Sequence, residues 1–251
     1  MNAIDVSADV GEDFVSGIDA IEDALMPMIS SCHISCGAHS GNNDTVDRTL
    51  ARAMTYRVKV GAHPSYPDRE FGGRRSITIL PEDLADSLKS QLKWLKQRVN
   101  THGAQLSHVK PHGTLYNDMA RDATLSRVVV TAIQEFDASL AVYGMAGSVV
   151  AKTCQELGVR FIAEGFVDRR YEDVTRLVPR SQPGAVIENR HEIETQIRNW
   201  VQGCVIDRYD RRHPVAAQSL CLHSDAPDVL INAAILQQVL DQEHVTIAAS
   251  E

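Results

Sequence analysis

Four histidines of this chain each follow a short apolar run and open a polar segment: His39, His63, His112 and His223. Imidazole binds metal ions and transfers protons near neutral pH, so these side chains suit metal or acid–base chemistry. One histidine in such a place often only anchors a loop through a hydrogen bond. Four of them, spread along the chain, predict a single site that the fold assembles, with at least two of them lining a pocket.

Two acids end a fifth apolar run, in Ile4-Asp-Val-Ser-Ala-Asp9-Val-Gly-Glu12. The glycine turn between Asp9 and Glu12 allows both carboxyl groups to face one pocket. A carboxylate in this position suits a general base, a metal ligand or a hydrogen-bond anchor for the loop. We predict catalytic roles for Asp9, Glu12, His63 and His112.

A metal site in this chain would have to be assembled from separate strands, because no His-Glu-x-x-His pattern is present. The ligands predicted for such an ion are Asp9, His39 and His63.

Substrate binding is predicted for a further set of polar side chains: His39, Lys110, Tyr116, Arg180 and His223. Lys110 directly precedes Pro-His-Gly, which favours a side chain that points into the pocket over one that points to solvent. Arg180 lies in a loop with two prolines, where it is either a structural arginine or a fork for a carboxylate or phosphate.

The elements that position these residues alternate between apolar runs and segments of helical periodicity, which is typical of a parallel sheet with crossover helices. After the first run, strands are predicted at residues 58–62, 106–110, 140–143, 159–163 and 186–187, with a last strand at 219–222. Helices are predicted from Pro81 to about Gly103, at 125–136, between the strands at 140–143 and 159–163, at about 192–201, and from Val229 to Leu240.

About seven such repeats in 251 residues predict one α/β domain over residues 1–251, a closed or nearly closed β/α barrel. An open doubly wound sheet is the structural alternative. In a barrel the carboxyl ends of the strands meet on one face, so the polar clusters would converge there.

Composition excludes several classes of protein. A net charge of −8 and a pI near 5.7 argue against nucleic-acid binding. No apolar run approaches the roughly 20 residues of a membrane span, and the N-terminal residues do not resemble a secretory signal. Five cysteines, an odd number, favour a reducing, cytoplasmic setting, with core positions for Cys36 and Cys221.

Three nucleotide or hydrolase motifs are missing from the sequence. It contains no G-x-x-x-x-G-K-[ST] phosphate loop, no G-x-S-x-G elbow, and no G-x-G-x-x-G after the first strand. Gly72-Gly73-Arg74-Arg75 is rich in glycine but lacks the phosphate-loop pattern. A self-contained P-loop ATPase, an α/β-hydrolase and a dinucleotide-binding enzyme therefore lack support.

Eight motifs run from the first strand to the last helix: Ser7-Ala-Asp9-Val-Gly-Glu12, Ser35-Cys-Gly-Ala-His39-Ser-Gly41, Gly61-Ala-His-Pro-Ser-Tyr-Pro-Asp68, Val109-Lys-Pro-His-Gly-Thr-Leu-Tyr-Asn117, Gly144-Met-Ala-Gly147, Phe166-Val-Asp-Arg-Arg-Tyr171, Leu177-Val-Pro-Arg-Ser-Gln-Pro-Gly-Ala185 and Leu220-Cys-Leu-His-Ser-Asp225. Over nearly the full chain they resemble the LamB/YcsF family. The Lys-Pro-His-Gly and Val-Pro-Arg-Ser-Gln motifs are the long and specific ones.

The resemblance implies a seven-stranded β/α barrel similar to the polysaccharide-deacetylase superfamily. It also implies the 5-oxoprolinase reaction, the ATP-dependent opening of 5-oxo-L-proline to L-glutamate, beside two partner subunits, B and C. ATP would then bind on the partners or at a site shared with them. Asp9 with a histidine would activate water, another histidine would protonate the ring nitrogen, and Lys110 or Arg180 would hold substrate charge.

The sequence departs from the family pattern at three positions: Ser7 stands where Asn is usual, Ala38 where Phe is usual, and Ser224 where Gly is usual. A shorter group at position 7 would weaken a contact to substrate or to Asp9, and Ala38 would enlarge the pocket. Two other functions therefore stay open. One is a metal-dependent deacetylase or amidase, and the other is a ligand-binding or regulatory subunit without its own turnover.

Overall fold

Seven parallel strands close into a barrel in the computed structural model, which describes residues 2–14, 16–226 and 228–250. The barrel strands are β1 (Ala3–Val10), β2 (Ser31–Ser35), β3 (Lys59–His63), β4 (Leu106–Val109), β5 (Ala141–Met145), β6 (Phe161–Phe166) and, numbered in chain order, β11 (Ser219–His223). Each strand pairs with the next, and β11 pairs in parallel with β1 to close the ring. The closed barrel is therefore confirmed, and the open doubly wound sheet is wrong.

Helices connect the strands and cover the outside of the barrel. They are α1 (Ile18–Leu25), α2 (Asn43–Tyr56), α3 (Pro81–Thr101), α4 (Gly113–Met119), α5 (Ala123–Phe136), α6 (Val149–Leu157), α7 (Arg190–Val201) and α8 (Val229–Gln242). Helix α3 begins at Pro81 as predicted, with Glu82 and Asp83 in its first turn, where acids favour the positive end of the helix. Among the described residues, no helix is both long and apolar enough to cross a membrane.

Five short strands lie outside the barrel ring. They are β7 (Tyr171–Asp173), β8 (Arg176–Leu177), β9 (Cys204–Ile206), β10 (Arg212–Pro214) and β12 (Thr246–Ile247). β7 pairs with β8 and β9 with β10, both antiparallel, while β12 pairs with the start of β1. The prediction that the strand at 219–222 is the last one is therefore wrong. The predicted strand at 186–187 is also wrong, because Val186 makes only a single bridge to Arg169.

The barrel strands alternate between an apolar outer face and a polar inner face. On β1, Ile4 and Val6 belong to the hydrophobic core shared with the helices. Asp5, between them, accepts hydrogen bonds from hydroxyl groups of three other strands: Ser31, Tyr143 and Ser219. Barrels of this general type fill their interior mainly with branched aliphatic residues. This barrel instead encloses a polar network below the carboxyl ends of its strands.

Gly61 provides the space that His108 needs inside the barrel. A Cβ atom at position 61 would lie 2.0 Å from His108 Nε2, far closer than two unbonded atoms approach. The same nitrogen lies 3.0 Å from His33 Nδ1, so the two rings are linked by a hydrogen bond. Burial lowers the pKa of His108 to about 3, which keeps this ring neutral at physiological pH.

Candidate active site

A cavity of about 530 Å³ opens at the carboxyl ends of the barrel strands. It is lined by eight of the nine side chains for which the sequence predicts a role: Asp9, Glu12, His63, Lys110, His112, Tyr116, Arg180 and His223. The ninth, His39, stacks on His112 with 3.8 Å between the ring centroids. The fold thus brings all nine residues to one region, and their individual roles stay predictions.

Backbone hydrogen bonds hold the segment after β4 beside the segment after β3. The Lys110 amide donates to the carbonyl of Ala62, and the His112 amide donates to the carbonyl of Pro64. The two segments therefore leave the barrel side by side, which places the His63 and His112 rings next to each other.

Lys110 is the centre of a buried charge cluster, which we call the lysine cluster: Lys110, Asp9, Glu164 and Cys221. Lys110 Nζ lies 2.9 Å from Asp9 Oδ1, 3.0 Å from Glu164 Oε1 and 3.0 Å from Cys221 Sγ. Burial acts to lower the pKa of Lys110, but Asp9, Cys221 and Glu164 outweigh that effect and hold the pKa well above its usual value. The ammonium charge is thus compensated by its neighbours, and the predicted substrate-binding role of Lys110 stays a prediction.

Asp9 links this cluster to the histidines. Burial acts to raise the pKa of Asp9, but His63 and Lys110 outweigh that effect and hold the pKa well below its usual range. Its second oxygen, Oδ2, lies 3.3 Å from His63 Nε2. A carboxylate with such a low pKa is a weak base alone, but it is well suited to accept a hydrogen bond from a protonated imidazole nitrogen.

The second group, which we call the histidine cluster, consists of Glu12, His39, His63 and His112, all buried. His63 Nε2 and His112 Nδ1 are 2.9 Å apart. His39 Nε2 lies 3.4 Å from Glu12 Oε1 and 3.1 Å from Ser35 Oγ. Burial raises the pKa of Glu12 to about 7.

The outer nitrogens of two of these rings are fixed by backbone carbonyls. His63 Nδ1 lies 2.7 Å from the carbonyl oxygen of Lys110, and His112 Nε2 lies 3.0 Å from that of Gly72. A carbonyl only accepts hydrogen bonds, so each outer nitrogen carries a proton and donates it. Each inner nitrogen therefore presents a lone pair to the cluster when its ring is neutral.

Charged side chains surround the rim of the cavity. His223 Nδ1 lies 3.0 Å from Asp168 Oδ1, and the His223 ring stacks on Phe166. Arg180 and Arg74 both contact the carboxylate of Asp225. Two guanidinium groups thus share one carboxylate, which leaves this part of the rim with one excess positive charge. That arrangement suits the binding of an anionic ligand.

Two groups of described residues offer several metal-ligand atoms within 4.8 Å of one another. One is the histidine cluster, and the other is Asp9, Cys221 and His223. The trio predicted from sequence, Asp9, His39 and His63, does not converge in this way. His39 pairs with Glu12 instead, and Asp9 directs one oxygen at Lys110.

Sequence reasoning missed several residues of the site. Glu164 contacts Lys110 from β6, while Arg74 and Asp225 form the rim with Arg180. Cys221 is buried as predicted, but its sulfur contacts Lys110 rather than only apolar neighbours. The available signal was the period-two spacing of polar residues inside apolar strands, as in Asp5-Val-Ser-Ala-Asp9.

The departures from the family pattern lie mostly away from the reacting groups. Ser7 Oγ lies 3.0 Å from Ser219 Oγ, inside the barrel, and Ser7 does not line the cavity. The side chain of Ser7 contacts β11, and the expectation that it weakens a contact to substrate or to Asp9 stays a prediction. Ser224 is buried next to His223, and its hydroxyl has no hydrogen-bond partner among the described residues.

Comparison with known proteins supports a relationship over the whole chain. The sequence model of the LamB/YcsF family matches residues 4–251. The A subunit of 5-oxoprolinase from Bordetella pertussis is 35% identical over 249 residues, which are 99% of this chain and 99% of that protein. The A subunit of 5-oxoprolinase from Pyrococcus furiosus is 36% identical over 245 residues, 97% of this chain and 96% of that protein.

A solved structure has the same fold. The lactam utilization protein from Thermus thermophilus superposes with a TM-score of 0.89 and 31% sequence identity, over 99% of this chain and 100% of that chain. On the strength of the full-length family match and these relatives, the chain belongs to the LamB/YcsF family.

Proposed function

We propose that this chain is the A component of an ATP-dependent 5-oxoprolinase, which opens 5-oxo-L-proline to L-glutamate together with partner subunits B and C. The observation that carries the proposal is a cavity with a buried acid–base cluster and a cationic rim, in a chain whose full-length relatives are named as the A subunit of 5-oxoprolinase. The cluster suits the proton transfers of amide hydrolysis, and the rim suits an anionic substrate.

The reaction explains why ATP is required. A lactam carbonyl is a poor electrophile, and its nitrogen is a poor leaving group. Phosphorylation of the carbonyl oxygen makes the ring carbon open to attack by water. The C–N bond of the resulting adduct then breaks as the ring nitrogen takes up a proton. The acyl phosphate left behind is hydrolysed by a second water to glutamate and inorganic phosphate. Since the sequence has no phosphate loop, we place ATP on the partner subunits or at a site shared with them.

The geometry supports distinct roles for individual residues of the two clusters. Asp9 and His63 act together on water, because Asp9 Oδ2 lies 3.3 Å from His63 Nε2 and stabilises the imidazolium that forms. Lys110 keeps Asp9 ionised. His112, whose ring is adjacent to His63, returns a proton to the ring nitrogen as it leaves.

The rim supports recognition of the substrate's charge. Arg180 and Arg74 approach Asp225 from two loops and leave an excess positive charge at the cavity mouth. We assign Arg180 to the carboxylate of 5-oxoproline or to the phosphate of its activated form. A guanidinium group can hold either through two parallel hydrogen bonds.

The test is glutamate release from 5-oxoproline and ATP, measured with this chain alone, with subunits B and C alone, and with all three. We expect turnover by the mixture and little turnover by this chain alone. Turnover by the isolated chain at the rate of the mixture would show that the partners are dispensable. No turnover by a correctly folded mixture would overturn the proposal.

The histidine cluster favours one second candidate, a metal-dependent amidase or deacetylase that works without ATP. Two imidazoles and a carboxylate, such as those of His63, His112 and Glu12, are a donor set that such enzymes use. The same assay separates the two functions, because only the oxoprolinase stops when ATP is left out.

A further inference from the structure

A histidine–carboxylate pair lies in the cavity beside the two clusters. His223 Nδ1 lies 3.0 Å from Asp168 Oδ1 and 3.1 Å from Asp168 Oδ2. Burial acts to raise the pKa of Asp168, but His223 and nearby arginines outweigh that effect and hold the pKa below its usual value. An ionised carboxylate only accepts hydrogen bonds, so Nδ1 carries a proton and the neutral ring has its lone pair on Nε2.

The His223 ring is held so that Nε2 is available to the cavity, which His223 lines. His223 is in register with Asp9 on the neighbouring strand β1, so both side chains point to the same side of the sheet. The ring stacks on Phe166 with 5.4 Å between the centroids. Within the parts of the chain that the structure describes, Nε2 has no hydrogen-bond partner, whereas both ring nitrogens of His63 and of His112 are engaged.

The cationic part of the rim is adjacent to this pair. Asp225, which contacts Arg74 and Arg180, follows His223 by two residues, and all four residues line the cavity. A phosphate group bound by the two guanidinium groups would therefore lie on the His223 side of the cavity. This side has an anion-binding group and a base with a free nitrogen.

The proposed reaction contains a second hydrolysis, for which neither cluster has been assigned a role. Once the lactam has opened, the acyl phosphate still carries the former ring nitrogen as an amino group. That amino group can attack the acyl carbon, expel phosphate and close the lactam again, since attack within one molecule is favoured by proximity. ATP would then be hydrolysed without net formation of glutamate. Coupling of the two reactions requires that water reach the acyl carbon first.

We propose that His223, oriented by Asp168, is the general base for hydrolysis of the acyl phosphate, and that this chain hydrolyses acyl phosphates without its partners. His223 Nε2 takes a proton from water while the water oxygen bonds to the acyl carbon. The bond from that carbon to the phosphate oxygen then breaks, and the phosphate leaves with the electron pair and takes the proton from the imidazolium. One acyl phosphate and one water give one carboxylic acid and one hydrogen phosphate. The identity of the acyl group rests on the proposed function.

The experiment measures release of inorganic phosphate from glutaryl phosphate by the full-length chain alone. This probe is the acyl phosphate of the proposed reaction without its amino group, so it cannot close to a lactam. We expect release well above the spontaneous rate. Neither ATP nor a partner is present, so the result does not depend on glutamate formation by the three-subunit mixture, and the two proposals can fail separately.

The variant His223→Ala should lower kcat for phosphate release by about 10²-fold or more, and added imidazole should restore part of the rate. Asp168→Asn should lower kcat while KM stays the same, because the new amide would donate to Nδ1 and place the ring proton on Nε2. Imidazole should not restore that variant. His191→Gln, at an exposed position on α7, is the matched control and should behave as the wild type does.

The three-subunit mixture gives a second measurement, the amount of glutamate formed for each ATP hydrolysed. With His223→Ala this ratio should fall, because the acyl phosphate closes to the lactam again. A residue with a merely structural role would lower both rates together and leave the ratio unchanged. Circular dichroism checks the fold of each variant, and His223→Gln replaces His223→Ala if the latter is unfolded.

Two outcomes would overturn the inference. One is a folded wild-type chain that releases phosphate from glutaryl phosphate no faster than the spontaneous reaction. The other is an unchanged kcat in a folded His223 variant, which would show that the pair only holds the loop after β6 against β11.

Discussion

Replacing Lys110 with Met tests whether the lysine cluster is held together by charge. Methionine keeps an unbranched stem of similar length, so the loss of packing is small, while the ammonium group disappears. Lys110, Asp9 and Glu164 are all buried. The variant therefore leaves two buried carboxyl groups without the cation that lies 2.9 Å from one and 3.0 Å from the other.

The size of the effect follows from the proton that Asp9 would then take up. A buried carboxylate without a cation beside it avoids the free-energy cost of burying its charge by taking up a proton. Protonation of Asp9 in the folded state at pH 7 lowers the free energy of unfolding by about 1.4 kcal/mol for each pH unit above the unfolded pKa of about 3.9. The total is about 4 kcal/mol. Loss of one partner of a buried ion pair typically costs about 3–5 kcal/mol, in agreement.

The stability lost in Lys110→Met should depend on pH in one direction only, because the substitution reverses the shift in the pKa of Asp9. In the wild type the pKa of Asp9 is lowered, so its contribution to stability is present above the unfolded pKa. In Lys110→Met the folded-state pKa is raised instead, so the penalty is absent below the unfolded pKa and grows as the pH rises. The difference between variant and wild type should therefore shrink by about 1.4 kcal/mol per unit as the pH falls from about 7 towards 4.

The assay is urea unfolding of four proteins with a chelator present: wild type, Lys110→Met, Asp9→Asn and the double variant. The double variant lacks the uncompensated Asp9 charge, so we expect it to be more stable than the sum of the single losses predicts, by about 2–3 kcal/mol. A loss below about 1 kcal/mol at pH 7, a loss independent of pH, or simple additivity would refute the reasoning.

Three other predictions concern separate parts of the molecule. Asp9→Asn should lower oxoprolinase turnover of the three-subunit mixture by about 10²-fold or more, and wild-type rates in the folded variant would remove Asp9 from the chemistry. Hydrogen bonds from Lys96 and Ser139 lower the pKa of Asp137 to about 2, so its contribution is present above the unfolded pKa and lost as the pH falls towards 2. After allowance for solvent screening, Asp137→Asn should therefore cost about 1 kcal/mol at pH 7 and nothing near pH 2, and an equal loss at both pH values would contradict this cause. Gly61→Ala should cost about 3 kcal/mol in urea unfolding, because the new methyl group would overlap His108. A stability within about 0.5 kcal/mol of the wild type would show that His108 moves aside.

The long elements of the fold could be predicted because their periodicity is local. The strand predicted at 58–62 is Lys59–His63 in the structure, and the helix predicted at 125–136 is Ala123–Phe136. The two antiparallel hairpins were missed because each contains strands of only two or three residues. At Val186 the apolar pair suggested a strand, but the backbone bonds of this segment go to the loop near Arg169.

The site was predictable to the extent that a residue stands at the end of an apolar run. Asp9, His63 and His112 were found in this way. Glu164 and His33 were not, since each lies within a strand, and their contacts cross the barrel between distant parts of the sequence. The ion pair between Lys110 and Asp9 could not be predicted from the sequence either. Whether a lysine at the end of a strand forms an ion pair depends on the side chains of strands that are distant in the sequence.

The pairing of β1 with β11 has a consequence for the order of folding. Asp5 is in register with Ser219, so one side of the first strand has no partner until more than two hundred residues have followed it. Such contacts between distant segments form slowly, because the intervening chain must first be closed into a loop. Asp9 and Glu12 lie on or directly after this strand. Closure of the ring, and with it the contact of Cys221 with Lys110, therefore waits until the chain has been made as far as β11.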